Sequence, residues 1–181
     1  MRKLLSVVVA LTLGLVSFQA HAQDKVTPDD VMAMIAQIPV QLGHWKPAGF
    51  DRVPDAKAFA EAIADTADGS LLGDVRNDAA LMAVFVAYEG GFRKCPVGDG
   101  GKSLGGLQLQ RASRRVACTP SLAVAEWLAR AQESMQTCAG LPPEERLASL
   151  ASGSCQAGRS LVRRRVQVAR RVALLAQGEG E

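Results

Sequence analysis

Residues 79–88 read Ala-Ala-Leu-Met-Ala-Val-Phe-Val-Ala-Tyr, an unbroken apolar stretch in an otherwise mixed chain. A helix that is apolar around its whole circumference has no face to give to water, so it must lie at the centre of a domain. Other elements therefore have to wrap this segment. Glu89 follows it directly, and then Gly90, Gly91 and Phe92. A carboxylate at the rim of a buried helix is poorly solvated, and its charged form is disfavoured. That is the setting a general acid needs near neutral pH. The plainer alternative is a glutamate at a helix end pointing into water, as surface glutamates ordinarily do.

The chain opens with Met1-Arg2-Lys3, an apolar run over residues 4–18, and Ala20-His21-Ala22. This is the pattern of a secretory signal peptide, with Gln23 as the expected mature N-terminus. An uncleaved anchor is the rival reading. The run is shorter than the roughly 20 residues a membrane span needs, and the small-x-small site favours cleavage. The mature protein is expected in the periplasm or outside the cell, without stable membrane insertion. Its four cysteines, Cys95, Cys118, Cys138 and Cys155, all lie beyond the signal. An even count in an exported chain reads as two disulfides. Sequential pairing, Cys95–Cys118 and Cys138–Cys155, is favoured because each loop is then short, stabilising by about 3 kcal/mol each. A zinc site is the alternative, but there is no CxxC spacing.

Loss of Arg2 and Lys3 leaves 21 − 2 = 19 basic residues against 18 acidic ones. A nearly neutral mature chain does not call for nucleic acid. Histidine reduces to His44 once His21 leaves with the signal. A Ser-His-Asp triad and a multi-histidine metal site have almost no material to work with. No metal or cofactor is expected, and the hydrolytic chemistry that remains is carboxylate chemistry. His44, in Gly43-His44-Trp45-Lys46-Pro47, reads as a loop residue.

About 160 mature residues suit one domain. Thr27-Pro28-Asp29-Asp30 is an N-cap, a Pro at N1 and an acidic first turn, followed by Val31, Met34, Ile35 and Ile38 at helical spacing and by Pro39. Asp55 opens a second helix with Phe59, Ile63 and Ala67 on one face. Asn77 caps the central helix, which runs to about Tyr88. Residues 92–110 are Gly-rich and broken, a loop or small hairpin. Thr119-Pro120 begins a helix with Leu122, Ala125, Trp127 and Leu128; Pro142-Pro143-Glu144-Glu145 begins another, with Leu147, Leu150 and Ala151 inward, ended by Gly153. The last helix covers about 156–176, with Leu161, Val162, Val166, Ala169, Val172 and Leu175 on one side. The expected class is mainly α, with at most a small β-hairpin. Residues 23–76 form an N-terminal helical segment, 77–176 the core, and 177–181 a disordered tail.

This order of elements resembles the lysozyme-like fold, in particular the soluble lytic transglycosylase and goose-type lysozyme group. Three places carry the resemblance. Glu89-Gly90-Gly91-Phe92 is similar to the family's catalytic Glu-Ser motif. Gly105-Gly106-Leu107-Gln108-Leu109 is similar to Gly-Leu-Met-Gln-Leu. Leu147-Ala148-Ser149-Leu150-Ala151-Ser152-Gly153 occupies the place of Ala-Tyr-Asn-Ala-Gly. The family serine is Gly90 here, the tyrosine that contacts the catalytic carboxyl is Leu150, and the asparagine is Ala151.

The resemblance implies cleavage of peptidoglycan glycan strands between MurNAc and GlcNAc by a monomer that needs no cofactor. Glu89 would protonate the leaving oxygen and then act as base. Gln108 would hydrogen-bond in the cleft, with Gly105 and Gly106 lying against the sugar, where a side chain would block the approach. Tyr88 and Phe92 flank the cleft or pack in the core. Asp99, in Val97-Gly98-Asp99-Gly100-Gly101, positions water in a hydrolytic route or is simply a turn residue, since Asp-Gly favours turns. A non-catalytic glycan-binding or wall-assembly protein on the same fold is the second reading. The Arg-rich last helix (Arg159, Arg163, Arg164, Arg165, Arg170, Arg171) reads as a solvated face with its stems on the core, or as a surface drawn to anionic polymer or lipid headgroups.

Overall fold

A computed structural model describes residues 25–38 and 50–178 of the chain. The signal segment, the cleavage site, Pro39, His44 and Trp45 fall outside the described residues. The elements follow the order α1 (Pro28–Gln37), α2 (Ala56–Thr66), α3 (Val75–Gly90), β1 (Val97–Gly98), β2 (Ser103–Leu104), β3 (Leu109–Gln110), α4 (Arg114–Ala117), α5 (Pro120–Thr137), α6 (Ala148–Ser152) and α7 (Arg159–Leu175). The fold is mainly α with one small antiparallel sheet, in the order β1-β2-β3. Its register pairs Val97 with Leu104 and Ser103 with Gln110.

The apolar run is the centre of the molecule. Residues 79–87 of α3 are all buried, and α7, α1 and α2 pack around them. The helix begins earlier than the sequence suggests. Asp74, not Asn77, is the N-cap, accepting from the backbone N–H of Arg76 at 2.9 Å and of Asn77 at 3.0 Å. Asn77 instead donates its side-chain amide to Asp74. One turn in, the buried Asp78 carboxylate accepts from the N–H of Leu71 at 2.9 Å and of Leu72 at 2.7 Å. This ties the preceding loop to the helix start. At the other end Gly91 adopts a left-handed conformation (φ 59°) and caps the helix onto Val86 and Ala87. Glu89 therefore sits in the last turn of a helix pinned at both ends.

α1 follows its sequence signal closely, with a reciprocal capping box between Thr27 and Asp30. Thr27 donates to the Asp30 carboxylate through both hydroxyl and N–H, which, with Arg76 nearby, holds that carboxyl below its usual range. Asp55 precedes α2 but makes no capping bond. Its carboxylate accepts from the Lys94 N–H at 3.0 Å, fastening the chain just past α3.

Three helical expectations need correction. The buried face of α5 is Ala123, Val124, Trp127 and Ala131, while Leu122 is exposed. The segment after Pro142 is not one helix: a 3-10 turn (Pro143–Glu145) precedes the separate short α6, and Leu147, at φ −83° and ψ 10°, departs from helical geometry between them. On α7, Leu161 faces out and Arg165 faces in, beside Val162, Val166, Ala169 and Val172. Arg159 and Arg163 are not free solvated charges either. Both converge on Glu145, whose carboxylate is buried, and their hydrogen bonds, Arg163 first, hold it below its usual range. Two disulfides, Cys95–Cys118 and Cys138–Cys155, tie the hairpin to the end of α4 and the end of α5 to the approach of α7. No helix among the described residues is long and apolar enough to cross a membrane.

Candidate functional site

A cavity of about 380 Å³ opens at the C-terminal end of α3. That volume falls within the range of small-ligand pockets. The first wall is Phe85 and Glu89 from α3. The second is Ser103 with residues 107–110 of the hairpin, and the third is residues 149–153 from α6 to its cap. Trp127 and Arg130 from α5 complete it. The three motif segments, far apart in sequence, thus meet around one space that contains Glu89.

Each wall has a local cause. Gly90 passes against the second motif so closely that a Cβ there would lie 2.5 Å from Gly106 Cα. A side chain at position 90, even a serine's, has no room. The third wall is held by Ser134, buried on α5. Its hydroxyl donates to the Arg146 carbonyl at 2.9 Å, accepts from the Leu150 N–H at 3.1 Å and lies 2.7 Å from the Ser149 hydroxyl. Leu150 and Ala151, held this way, present apolar groups to the cavity.

Glu89 has a partner that the sequence reading did not assign. Arg165 Nη1 lies 2.6 Å from Glu89 Oε1, with the Arg165 side chain 7% and the Glu89 side chain 30% exposed. The carboxylate is therefore not an isolated charge at an apolar rim; a buried cation meets it. The guanidinium lies 4.4 Å over the Phe85 ring centroid and 5.7 Å from that of Tyr88. Stacking on aromatic faces offsets part of the cost of burying the charge. Nε and Nη1 make no well-directed hydrogen bond, so the contact with Glu89 is a close charge pair rather than an aligned one. One signal pointed to Arg165 in advance: it stands three residues after Val162 and four before Ala169, on the inward stripe of α7.

The other site expectations divide. Gln108 lines the cavity, but its amide is engaged by its own turn, donating to the Gly105 carbonyl at 2.9 Å and more weakly to Pro96. Gly105 and Gly106 are buried and do not line the cavity. Their close approaches are to protein: a Cβ on Gly105 would meet the Ala117 carbonyl, and one on Gly106 the Phe59 ring. Phe92 is a core residue, fully buried between Phe50 and Phe59, because the left-handed turn after α3 folds it inward. Tyr88 is half-buried beside Arg165, away from the cavity lining. Burial pushes its phenol up, partly opposed by Arg164 and Arg165. Asp99 opens the short turn Asp99–Gly101 between β1 and β2, where Gly100 has φ 64°; its side chain is outside the described residues. Among the described residues no cluster of acidic, histidine or cysteine side chains has the makings of a metal site. Comparison with family models, curated proteins and solved structures finds no match for this chain.

Proposed function

We propose that the mature chain is an exported enzyme that cleaves peptidoglycan glycan strands, with Glu89 as general acid and base. One observation carries the reading: Glu89, the Gln108 segment and the Leu150 segment line a single cavity beside an aromatic wall. Such a cleft suits a sugar, with apolar faces for the ring and hydroxyl and amide groups at its edge. Cleavage requires a proton on the leaving glycosidic oxygen and support for an oxocarbenium-like centre. Glu89, protonated, donates that proton. It then takes the proton of the sugar's own 6-hydroxyl as that oxygen closes an anhydro ring, so no second carboxylate is needed. Arg165 keeps a positive charge 2.6 Å from the carboxylate throughout. The two disulfides and the signal-like N-terminus support export.

A second reading is favoured by the same ion pair. Arg165 already pairs with Glu89, and the apolar side chains of Leu150 and Ala151 add no hydrogen bond to it, so a glycan-binding protein without catalysis also fits. Digestion of purified sacculi by wild type and Glu89→Gln, read by mass spectrometry, separates them. Anhydro-muropeptides from wild type alone support the transglycosylase. Reducing-end products make the enzyme a hydrolase. Retained sacculus binding without products supports the non-catalytic reading, and no binding removes the peptidoglycan reading altogether.

A further inference from the structure

Glu89 and Arg130 are the charged side chains among those lining the cavity. Arg130 stands on α5 and is oriented by two protein acceptors. Its Nε donates to Glu126 Oε1 at 2.8 Å and its Nη1 to the Gln110 carbonyl at 2.9 Å. Nη2 makes no hydrogen bond among the described residues. The Arg130 and Glu126 side chains are 30% and 40% exposed, so the pair is partly solvated and contributes little stability by itself. What the pair supplies is orientation: the guanidinium plane is set before any ligand arrives.

The other described polar groups on the lining are neutral, among them Ser149, Ser152, Gln108 and Gln110. A neutral sugar is satisfied by hydroxyls and amides and gains little from a fixed cation. A planar guanidinium with an open donor matches a carboxylate, and charge-assisted hydrogen bonds are the strong ones. We infer that Arg130 is the anchor of a subsite for a carboxylate borne by the glycan, so that the cavity selects strands containing acidic sugars over neutral ones. This rests on the glycan reading above and names the substrate feature that the site recognises. The carboxylate belongs either to the acid ether of the sugar itself or to a peptide attached to it; both present the same group to Arg130.

The test is calorimetric titration of the mature, disulfide-bonded protein carrying Glu89→Gln, which keeps the strands intact. Three tetrasaccharides are compared: a neutral N-acetylglucosamine tetramer, an alternating tetramer with free acid on every second sugar, and the same tetramer with short peptides on the acids. The expected result is at least about tenfold tighter binding of an acidic form than of the neutral one, as one charged hydrogen bond provides. Arg130→Gln removes that preference, weakening acidic binding at least about tenfold more than neutral binding. Glu126→Gln, which keeps an acceptor for Nε but removes the competing negative charge, strengthens acidic binding only. Preference for the free-acid tetramer places the carboxylate on the sugar, and preference for the peptide form places it on the peptide. Equal binding of neutral and acidic forms overturns the inference while leaving the glycan reading intact. So does an Arg130→Gln loss shared by all three. If none of the three binds, the glycan reading itself falls, and this inference with it.

Discussion

Replacing Asp78 with asparagine isolates one buried charge and its dependence on pH. Asp78 is fully buried, and burial pushes its carboxyl from 3.8 up to about 6, even though the Leu71 and Leu72 N–H groups favour the ionised form. Asp68 and Asp74 add a smaller push in the same direction. The gap of about 2 pH units corresponds to about 3 kcal/mol, at about 1.4 kcal/mol per unit. Because the folded value is the higher one, between about pH 4 and 6 the folded state holds a proton that the unfolded chain has released. Stability from this group is complete below the unfolded value and is lost as pH rises through about 6. The amide introduced by Asp78→Asn carries no charge at any pH. It keeps one acceptor and turns an NH₂ toward the second backbone N–H, a pH-independent cost of about 1–3 kcal/mol. Urea unfolding of both proteins from pH 4 to 7 reads the difference directly. Asp30 and Glu145, whose lowered values act in the opposite sense, are common to both and cancel. The expected result is that wild type loses about 2.4 kcal/mol relative to Asp78→Asn between pH 4 and 7. A difference that stays constant, or that grows in favour of wild type as pH rises, refutes the reasoning.

Further outcomes follow from the site. Arg165→Met uncovers Glu89 and is expected to cost about 2–4 kcal/mol in chemical denaturation; combined with Glu89→Gln it should cost at least about 1 kcal/mol less than the sum, and strict additivity would deny the pairing. Gly90→Ser is expected to lower stability by about 1–3 kcal/mol because the backbone of Gly106 leaves no space; an unchanged melting temperature argues against the close approach. Ser134→Ala strands the Leu150 N–H and is expected to cost about 1–3 kcal/mol. Hydrogen exchange at Leu150 should quicken, and unchanged protection there would show that Ser134 does not hold the third wall.

Much of the site's framework was legible one residue at a time. The run over 79–88 had to be buried, and Thr27, Pro28 and Asp30 announced the start of α1. The sequential cysteine pairing matches the two bridges present. These signals are local: a cap, a turn glycine or a solid apolar run acts within a few residues of itself. The errors arise where two local signals compete. Asp74 and Asn77 are both good caps, and the partner that reaches two N–H groups prevails. Gly105 and Gly106 announced a close backbone approach correctly, but not what approaches them, which is Ala117 and Phe59.

The sequence alone determined that a buried helix ends in a carboxylate and that two Gly-containing segments follow it, because helix periodicity and turn chemistry are short-range. Only the tertiary structure decided that Arg165 rather than solvent meets Glu89, that Phe92 turns into the core and that Arg130 joins the cavity wall. Those outcomes depend on how α5 and α7 lie against α3 and the hairpin. An arginine on the stripe of α7 is only a charged residue until a buried helix places a carboxylate and two aromatic rings beside it.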